Sequence, residues 1–582
     1  MHRVLDRLKR TKLVQWAIAY SAGAWLVLQV LGEIGEPWGL SAALQRGIQF
    51  ELVVGFLATL VLAWFHGEKG RQTVGPVEGM LLVGLALTAV VGFSVAARFD
   101  PGIRGLDGLL GAEPYFALER DRPAIAVLPL SGTGAGPGDA DFAEGIHQEL
   151  INRLTGIPSL VVIARRVMRF ADGRTGAREI GAQLAADYLL EGSARRTADR
   201  IRVTAQLVEA RTEQPVWGES YDLEFTVENL IDIQIDVARR IAGALELELS
   251  PSVRAGLEER PTQILAAYES YLLGRVAWSR RTPASLEEAV AHLTRATELD
   301  PTFAEAYSAL AEAYVLQPFF SADYASDVAL ARTEAVAERA LALDPGLGEA
   351  HTALGLVREF RYDWERAEEE FRLAIAKSPE YATAHHWLAN MLSRRGRPEE
   401  GLAHIQRAYE LDPLSTIINQ DVGYNLGLAG RLEAALRQYA RTLALDPDYA
   451  GTTLIYAHAL LEGGRVDEAR ASFERWAILS GADPVAIAEL VDSFVAYRRS
   501  GQRQAPPPGL DLETTFSPYG LQRTYLALGD RERAIEVLRS AFDEGRFGIT
   551  LDISGSHYDS LRDDPRFIAI ARTIGLGLPS DR

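Results

Sequence analysis

The sequence predicts a multidomain chain built from an α-helical membrane anchor, a mixed α/β domain and an all-α solenoid. Three features point there. Long apolar stretches crowd into the first hundred residues and do not recur at that length. Short apolar runs then alternate with segments of helical spacing over about residues 122–250. Beyond them, proline-terminated segments return at a fixed period. With 582 residues the chain has room for several cores, because one domain takes roughly 100–200 residues.

The anchor is expected over residues 1–100. Its apolar stretches, residues 13–31, 50–65 and 80–97, approach the roughly 17–25 residues a helix needs to cross a bilayer, the second only marginally. Trp16, Trp25, Trp38 and Trp64 lie near the ends of the first two, as interfacial aromatics do. Arg3, Arg7, Lys9, Arg10 and Lys12 precede the first stretch, Arg46 lies in the first loop, and Lys69 and Arg71 lie in the second. Basic residues stay on the cytoplasmic side, so the amino terminus is expected inside a bacterial inner membrane and the bulk of the chain in the periplasm. A cleavable leader is not expected, since no small-residue cleavage site precedes the second stretch.

After a linker over residues 101–121, residues 122–250 read as the α/β domain. Strands are expected at 124–130 (AIAVLPL), 160–164 (LVVIA), 188–192, 201–208 and 215–221, with helices at 142–154, 177–186 and 227–247. Ile201, Val203, Ala205 and Leu207 alternate with polar neighbours, which suits an antiparallel strand with one wet face. Gly132, Gly134, Gly136 and Gly138 follow the first strand but lack the Gly-Lys-Ser/Thr ending of a phosphate loop, so a flexible connection is expected. Asp139, Asp141 and Glu144 are expected to serve a helix amino terminus rather than a cation, because the remaining ligands of a calcium loop are missing. The segments AIAVLPL, DFAEGIHQELINRL, LVVIAR, YLLEGSAR, RIRVTAQLVEA and PVWGESYD, in this order, resemble the TolB-amino-terminal-like domain. That resemblance implies an extracytoplasmic interaction or sensing module without a catalytic motif.

The solenoid is expected over residues 264–545. TELDP, LALDP, AKSP, YELDP and LALDP place prolines at Pro301, Pro345, Pro379, Pro413 and Pro447, separated by 44, 34, 34 and 34 residues. The wider first gap implies an insertion of ten around residues 317–326. A 34-residue period ending in proline is the signature of the tetratricopeptide (TPR) repeat, and about seven helix pairs are expected. Leu354, Gly355, Ala367, Phe371 and Ala374 show the pattern in one unit. Leu521, Tyr525, Ala534, Leu538 and Ala541 place a further pair after the interruption at residues 505–509, and residues 546–582 read as a capping segment. Such pairs cannot hide their apolar faces alone, so they stack into a superhelix with a concave surface. By resemblance to TPR proteins, His386, Asn390, Arg394, Gln420, Tyr424 and His458 are expected to face that groove and bind a partner.

Composition and motifs narrow the function. The 79 acidic residues against 60 basic ones give a formal charge of −19, which repels nucleic-acid phosphates. With no cysteine there is neither a disulfide nor a thiolate nucleophile. No HExxH, phosphate-loop, nucleophile-elbow or kinase motif occurs, and His385 and His386, adjacent on a helix, diverge by about 100° and make a poor chelate. No catalytic residue, cofactor or metal is expected. The sequence therefore reads as a membrane-anchored scaffold or sensor that binds protein partners. An accessory role in signalling through a separate membrane protein, or a small-ligand receptor, is the alternative.

Overall fold

In a computed structural model, the described residues are 116, 122–132, 139–163, 176–184, 186–197, 199–320, 326–544 and 555–576, all within one compact unit, Glu113–Arg582. The three apolar stretches expected to form the anchor lie outside them. Among the described residues, no helix is long and apolar enough to cross a membrane.

The α/β region runs β1 (Ala124–Val127), β2 (Ser131–Gly132), α1 (Asp139–Thr155), β3 (Val161–Ile163), α2 (Ala177–Leu184), β4 (Tyr188–Arg196), β5 (Arg200–Glu209), β6 (Gln214–Glu224) and α3 (Val227–Ala244). Its sheet has the order β3-β1-β4-β5-β6, with β2 beside β4. The buried run of β1 sits between parallel neighbours, Ala124 opposite Val161 and Ile125 opposite Tyr188. Strands β4, β5 and β6 are antiparallel, and a register shift at Leu207/Val208 bends the last pair. They run longer than their apolar cores suggested, because residues 193–196 and 222–224, polar apart from Ala194 and Leu223, complete the ladders. Ile201, Val203, Ala205 and Leu207 are buried, as their alternation requires. Gly132 ends β2, and the other three glycines of the loop lie outside the described residues.

A short helix, α4 (Pro251–Leu257), leads into the solenoid. Its complete pairs are α5/α6 (Leu265–Ser279, Pro283–Leu299), α7/α8 (Ala304–Phe320, Ser326–Leu343), α9/α10 (Gly348–Phe360, Trp364–Lys377), α11/α12 (Ala382–Arg394, Pro398–Leu411), α13/α14 (Thr416–Leu428, Leu432–Leu445) and α15/α16 (Ala450–Glu462, Val466–Ser480). From α9 the first helices keep a length of 13 residues. The ten-residue insertion instead extends α7 to 17 residues, past Pro318. Phe371, Tyr439 and Phe473, on second helices, are buried. Each such burial stabilises by about 1.5–3 kcal/mol. Glycine is required opposite two of these rings: a Cβ on Gly355 or Gly423 would lie 2.6 Å from Phe371 or 2.5 Å from Tyr439.

Helix α17 (Pro484–Ser500) is one the repeat period did not predict. It buries Ile487, Leu490, Val491 and Phe494 as a first helix does, but the following prolines 506–508 exclude a second helix. An extended stretch and the short α18 (Leu512–Thr515) take that place, with Phe516 stacked on Trp476 at 4.7 Å. The pair α19/α20 (Pro518–Ala527, Arg531–Asp543) and the closing helix α21 (Pro565–Thr573) finish the chain. Asp564 caps α21, accepting from the Arg566 amide, and its bonds to Arg566 hold its carboxyl down at about 2.

Long-range contacts tie both ends of this compact unit to the array. The α/β region caps its front: α1 lies so close to α5 that a Cβ on Gly145 would be 2.9 Å from the Leu272 Cβ. The Tyr268 hydroxyl donates to Gln234 of α3 at 3.0 Å, and Asp141 pairs with Arg280 at 2.5 Å, which accounts for one of the acids at the start of α1. Leu414, in the loop after α12, joins the small core formed by Ala124, Val161, Ile163 and Leu184. At the other end the chain returns to the third pair, where the Trp364 indole donates to the Ile574 carbonyl at 2.6 Å and Tyr362 stacks on Phe542 at 6.4 Å.

Candidate functional site on the inner face of the repeats

First helices of neighbouring units touch one another, α5 with α7, α7 with α9, α9 with α11 and α11 with α13, whereas second helices do not to a comparable degree. The stack consequently curves with the first helices inside, and side chains on their inward faces form the candidate site.

In the fourth to sixth units this face is a hydrogen-bonded lattice. Asp421 on α13 is its hub: its Oδ2 accepts from His386 Nε2 at 2.5 Å and from Asn390 Nδ2 at 2.7 Å, both on α11. Burial pushes the Asp421 carboxyl up, but the bonds from His386, Asn390 and Gln420 outweigh it and hold the group below the usual carboxylate range. Asn425 donates to the Asn390 side chain at 2.7 Å and accepts from Ser393 at 2.5 Å. Arg394 bridges three units, donating to Glu359 of α9 at 2.8 Å and to the Tyr424 hydroxyl of α13 at 3.2 Å. Gln420 accepts from Thr452 of α15 at 2.9 Å.

Five of the six residues expected to line the groove thus meet on adjoining first helices, but not all in the expected manner. His386 and Asn390 are buried, with their polar atoms engaged inside the protein. His458 is also buried; its Nε2 has no hydrogen-bond partner, and burial together with Arg523 and His557 lowers its pKa well below the ordinary value. As the protein stands, these three do not present a surface to a partner. Arg394, Gln420 and Tyr424 remain partly exposed. The i, i+4 spacing correctly placed each pair on one helix face; it carried no sign of Asp421, Glu359 and Asn425 closing over them.

His385 lies behind this face. Its Nδ1 is 3.2 Å from His404 Nδ1 on α12, and burial pushes its pKa down to about 4. The same helix-to-helix position holds His351 with Glu370 at 2.7 Å in the preceding unit and Asn419 with Gln438 at 2.9 Å in the next. The histidine pair is one member of a polar contact repeated inside successive hairpins.

The first three units carry a different inner face, with acidic residues outside the expected groove set. Glu305 and Glu349 occupy equivalent positions, each four residues after a repeat-ending proline, Pro301 and Pro345. Aligning the prolines would have revealed them. Glu312, two turns beyond Glu305, pairs with Arg275 of α5 at 2.7 Å and accepts from the Tyr381 hydroxyl. Burial opposes the charge on Arg275, but Glu312 and its neighbours raise its pKa overall. Among the described residues, Glu305 and Glu349 have neither an ion pair nor a side-chain hydrogen bond to another residue. Burial pushes the Glu305 carboxyl up to about 7, with Glu259, Glu149 and Asp344 adding to the effect. No group of three or more His, Asp or Glu suited to a metal ion occurs among the described residues.

Comparison with known proteins bears on both regions. TPR family models match residues 285–317, 352–416 and 428–486, so the helix pairs are tetratricopeptide repeats. Residues 121–240 match the model of the second domain of HilA/YgeH-like transcriptional regulators, a different family from the TolB-amino-terminal-like one that the sequence resembles. The chain is 30% identical over 260 residues to putative adenylate cyclase 3 of Rhizobium meliloti (strain 1021), covering 44% of each chain. It is 25% identical over 185 residues to the TPR repeat-containing protein YpiA of Bacillus subtilis (strain 168), covering 31% of this chain and 41% of the relative. The chain thus spans less than half the length of these curated relatives. Among solved structures, TTC0263, a thermophilic TPR protein of Thermus thermophilus, is 20% identical, covers 34% of this chain and 100% of that one, and has a TM-score of 0.30.

Proposed function

We propose that this protein is a scaffold that recruits other proteins through the inner face of its repeats and performs no reaction of its own. The observation that carries this reading is the stacking of first helices from successive units into one face, on which Arg394, Gln420 and Tyr424 remain partly exposed. Stacked repeats offer such a face because each pair hides its apolar side only against its neighbours. The reading includes attachment to a bacterial inner membrane through residues 1–100, with the repeats on the extracytoplasmic side, supported by the apolar stretches and by basic residues ahead of the first.

A place in signalling is favoured as the setting. The family model over residues 121–240 belongs to transcriptional regulators, and one curated relative is a putative adenylate cyclase, so both likenesses lead to regulatory proteins. The packing of the α/β region against α5 and the loop after α12 supports a coupling between that region and the array.

Crosslinking in intact membranes with the full chain as bait tests the scaffold. The expected result is a protein recovered with the natural chain and lost with Gln420→Ala/Tyr424→Ala; recovery of nothing above that control rejects it. Reporter fusions after Arg98 test sidedness, where cytoplasmic reporter activity would overturn the proposed topology.

A further inference from the structure

We propose that the inner face of the first three repeats is a docking site for a basic segment of a partner protein, whose lysine or arginine side chains pair with Glu305 and Glu349. This rests on the scaffold reading and adds the partner's chemistry. The two carboxylates stand at the same repeat position on adjoining helices, α7 and α9, and both are partly exposed. Among the described residues neither is ion-paired, although the charge of Arg275 reaches Glu349, whereas later acids on the same helices are paired: Glu312 holds Arg275 and Glu359 holds Arg394. The chain therefore supplies counter-charges to Glu312 and Glu359 and leaves Glu305 and Glu349 unpaired.

An independent observation points to a ligand at the same place. Ser308 lies between Glu305 and Glu312 on one face of α7, at i+3 from the first and i−4 from the second. Its Oγ is buried, with the residue only 3% exposed, and it has no hydrogen-bond partner. A buried hydroxyl ordinarily finds one. An incoming ammonium or guanidinium carries several donors, enough to satisfy the hydroxyl and a flanking carboxylate together. Tyr271 lies within electrostatic reach of Glu305, and Tyr381 of Glu349.

The chemistry favours an organic cation on a chain over a metal ion, given the absence of a three-ligand metal group among the described residues. Two acids in one register on neighbouring first helices lie about 8–10 Å apart, the ordinary separation of packed helices. Basic side chains two or three residues apart on an extended segment span that distance, at about 3.3 Å per residue. The formal charge of −19 steers such a segment toward the protein.

The test measures fluorescence anisotropy of a labelled ten-residue peptide of alternating lysine and alanine, with its glutamate counterpart as control, on the purified full chain. The lysine peptide is expected to bind and the glutamate peptide not. Glu305→Gln/Glu349→Gln should weaken binding on the order of tenfold, about 1.4 kcal/mol, since partly buried charge pairs at an interface are lost. Glu298→Gln, on the exposed side of α6, should leave it unchanged. Thermal melting checks that the double variant is folded. Equal binding by natural and double-variant chains, or no binding of the lysine peptide, overturns the proposal. Displacement of the peptide by stoichiometric spermidine also overturns it, in favour of a small polyamine. A partner that crosslinks through Gln420 and Tyr424 but ignores Glu305→Gln/Glu349→Gln would sink this inference and leave the scaffold reading standing.

Discussion

The inner face of the first three repeats and that of the next three are built from the same helices at the same period, yet they treat polar groups in opposite ways. Around Asp421 the protein satisfies its own donors and acceptors, so His386, Asn390, Ser393 and Asn425 act as internal fasteners between first helices. Glu305 and Glu349, partly exposed in the first turns of α7 and α9, are left without an ion pair among the described residues. The lattice ties neighbouring first helices together, whereas carboxylates without a counter-charge repel one another until a cation binds.

The largest effect expected from breaking this contrast is at Arg394. Arg394→Met leaves the Glu359 carboxylate fully buried without a counter-charge and should cost about 3–5 kcal/mol in urea unfolding. Adding Glu359→Leu should restore most of it, because the pair is then replaced by apolar packing. A single-variant loss below about 1 kcal/mol would show that the bridge fastens nothing.

Asp421→Asn comes next. It replaces the acceptor shared by His386 and Asn390 and should cost about 1–3 kcal/mol. Asp421 has a folded pKa below its ordinary 3.8, so its ionised form stabilises the fold above that value and the gain disappears as pH falls toward the lower folded value. The natural chain should accordingly lose stability on acidification below about pH 4, and Asp421→Asn should flatten that limb.

Trp364→Phe keeps a ring against the closing helix but removes the donor to Ile574, at a cost of about 1 kcal/mol. Hydrogen exchange should quicken in Pro565–Thr573 before it does in α11 or α13. Uniform quickening would mean that the return of the chain to the third pair is not a separate contact.

A further effect has the opposite sign. Glu305 titrates at about 7 when folded and near 4.5 when unfolded, so the folded state holds its proton longer. Its contribution is neutral below 4.5, grows unfavourable as pH rises between the two values, and is constant above 7. Glu259, Glu149 and Asp344 set the repulsion it feels. Glu305→Gln should therefore raise the melting temperature at about pH 8 and leave it unchanged at about pH 4. A drop at the higher pH would contradict the idea of an unsatisfied acid.

What is legible along the chain follows from periodicity. Pro345, Pro379, Pro413 and Pro447 mark ends of units because a proline cannot continue a helix, and Leu388, Ala389, Val422 and Gly423 recur at one period because the same contact repeats. Helix α17 escaped notice because its partner helix is replaced by a proline-rich stretch, so it has a first-helix pattern without a period to belong to. The match over residues 121–240 to a regulator domain shows the same limit: strand order and spacing reveal an α/β region, but several families share such a pattern.

Repeat length and strand alternation are local properties of the chain, and they suffice to specify a stack of helical hairpins following an α/β region. Which inward side chains are consumed and which are left over depends instead on how the helices meet in space. His386 and Gln420 stand at equivalent positions 34 residues apart, yet one is buried against Asp421 and the other keeps part of its surface. Their difference comes from what the neighbouring helix places opposite, and a period along one chain does not encode a contact across two.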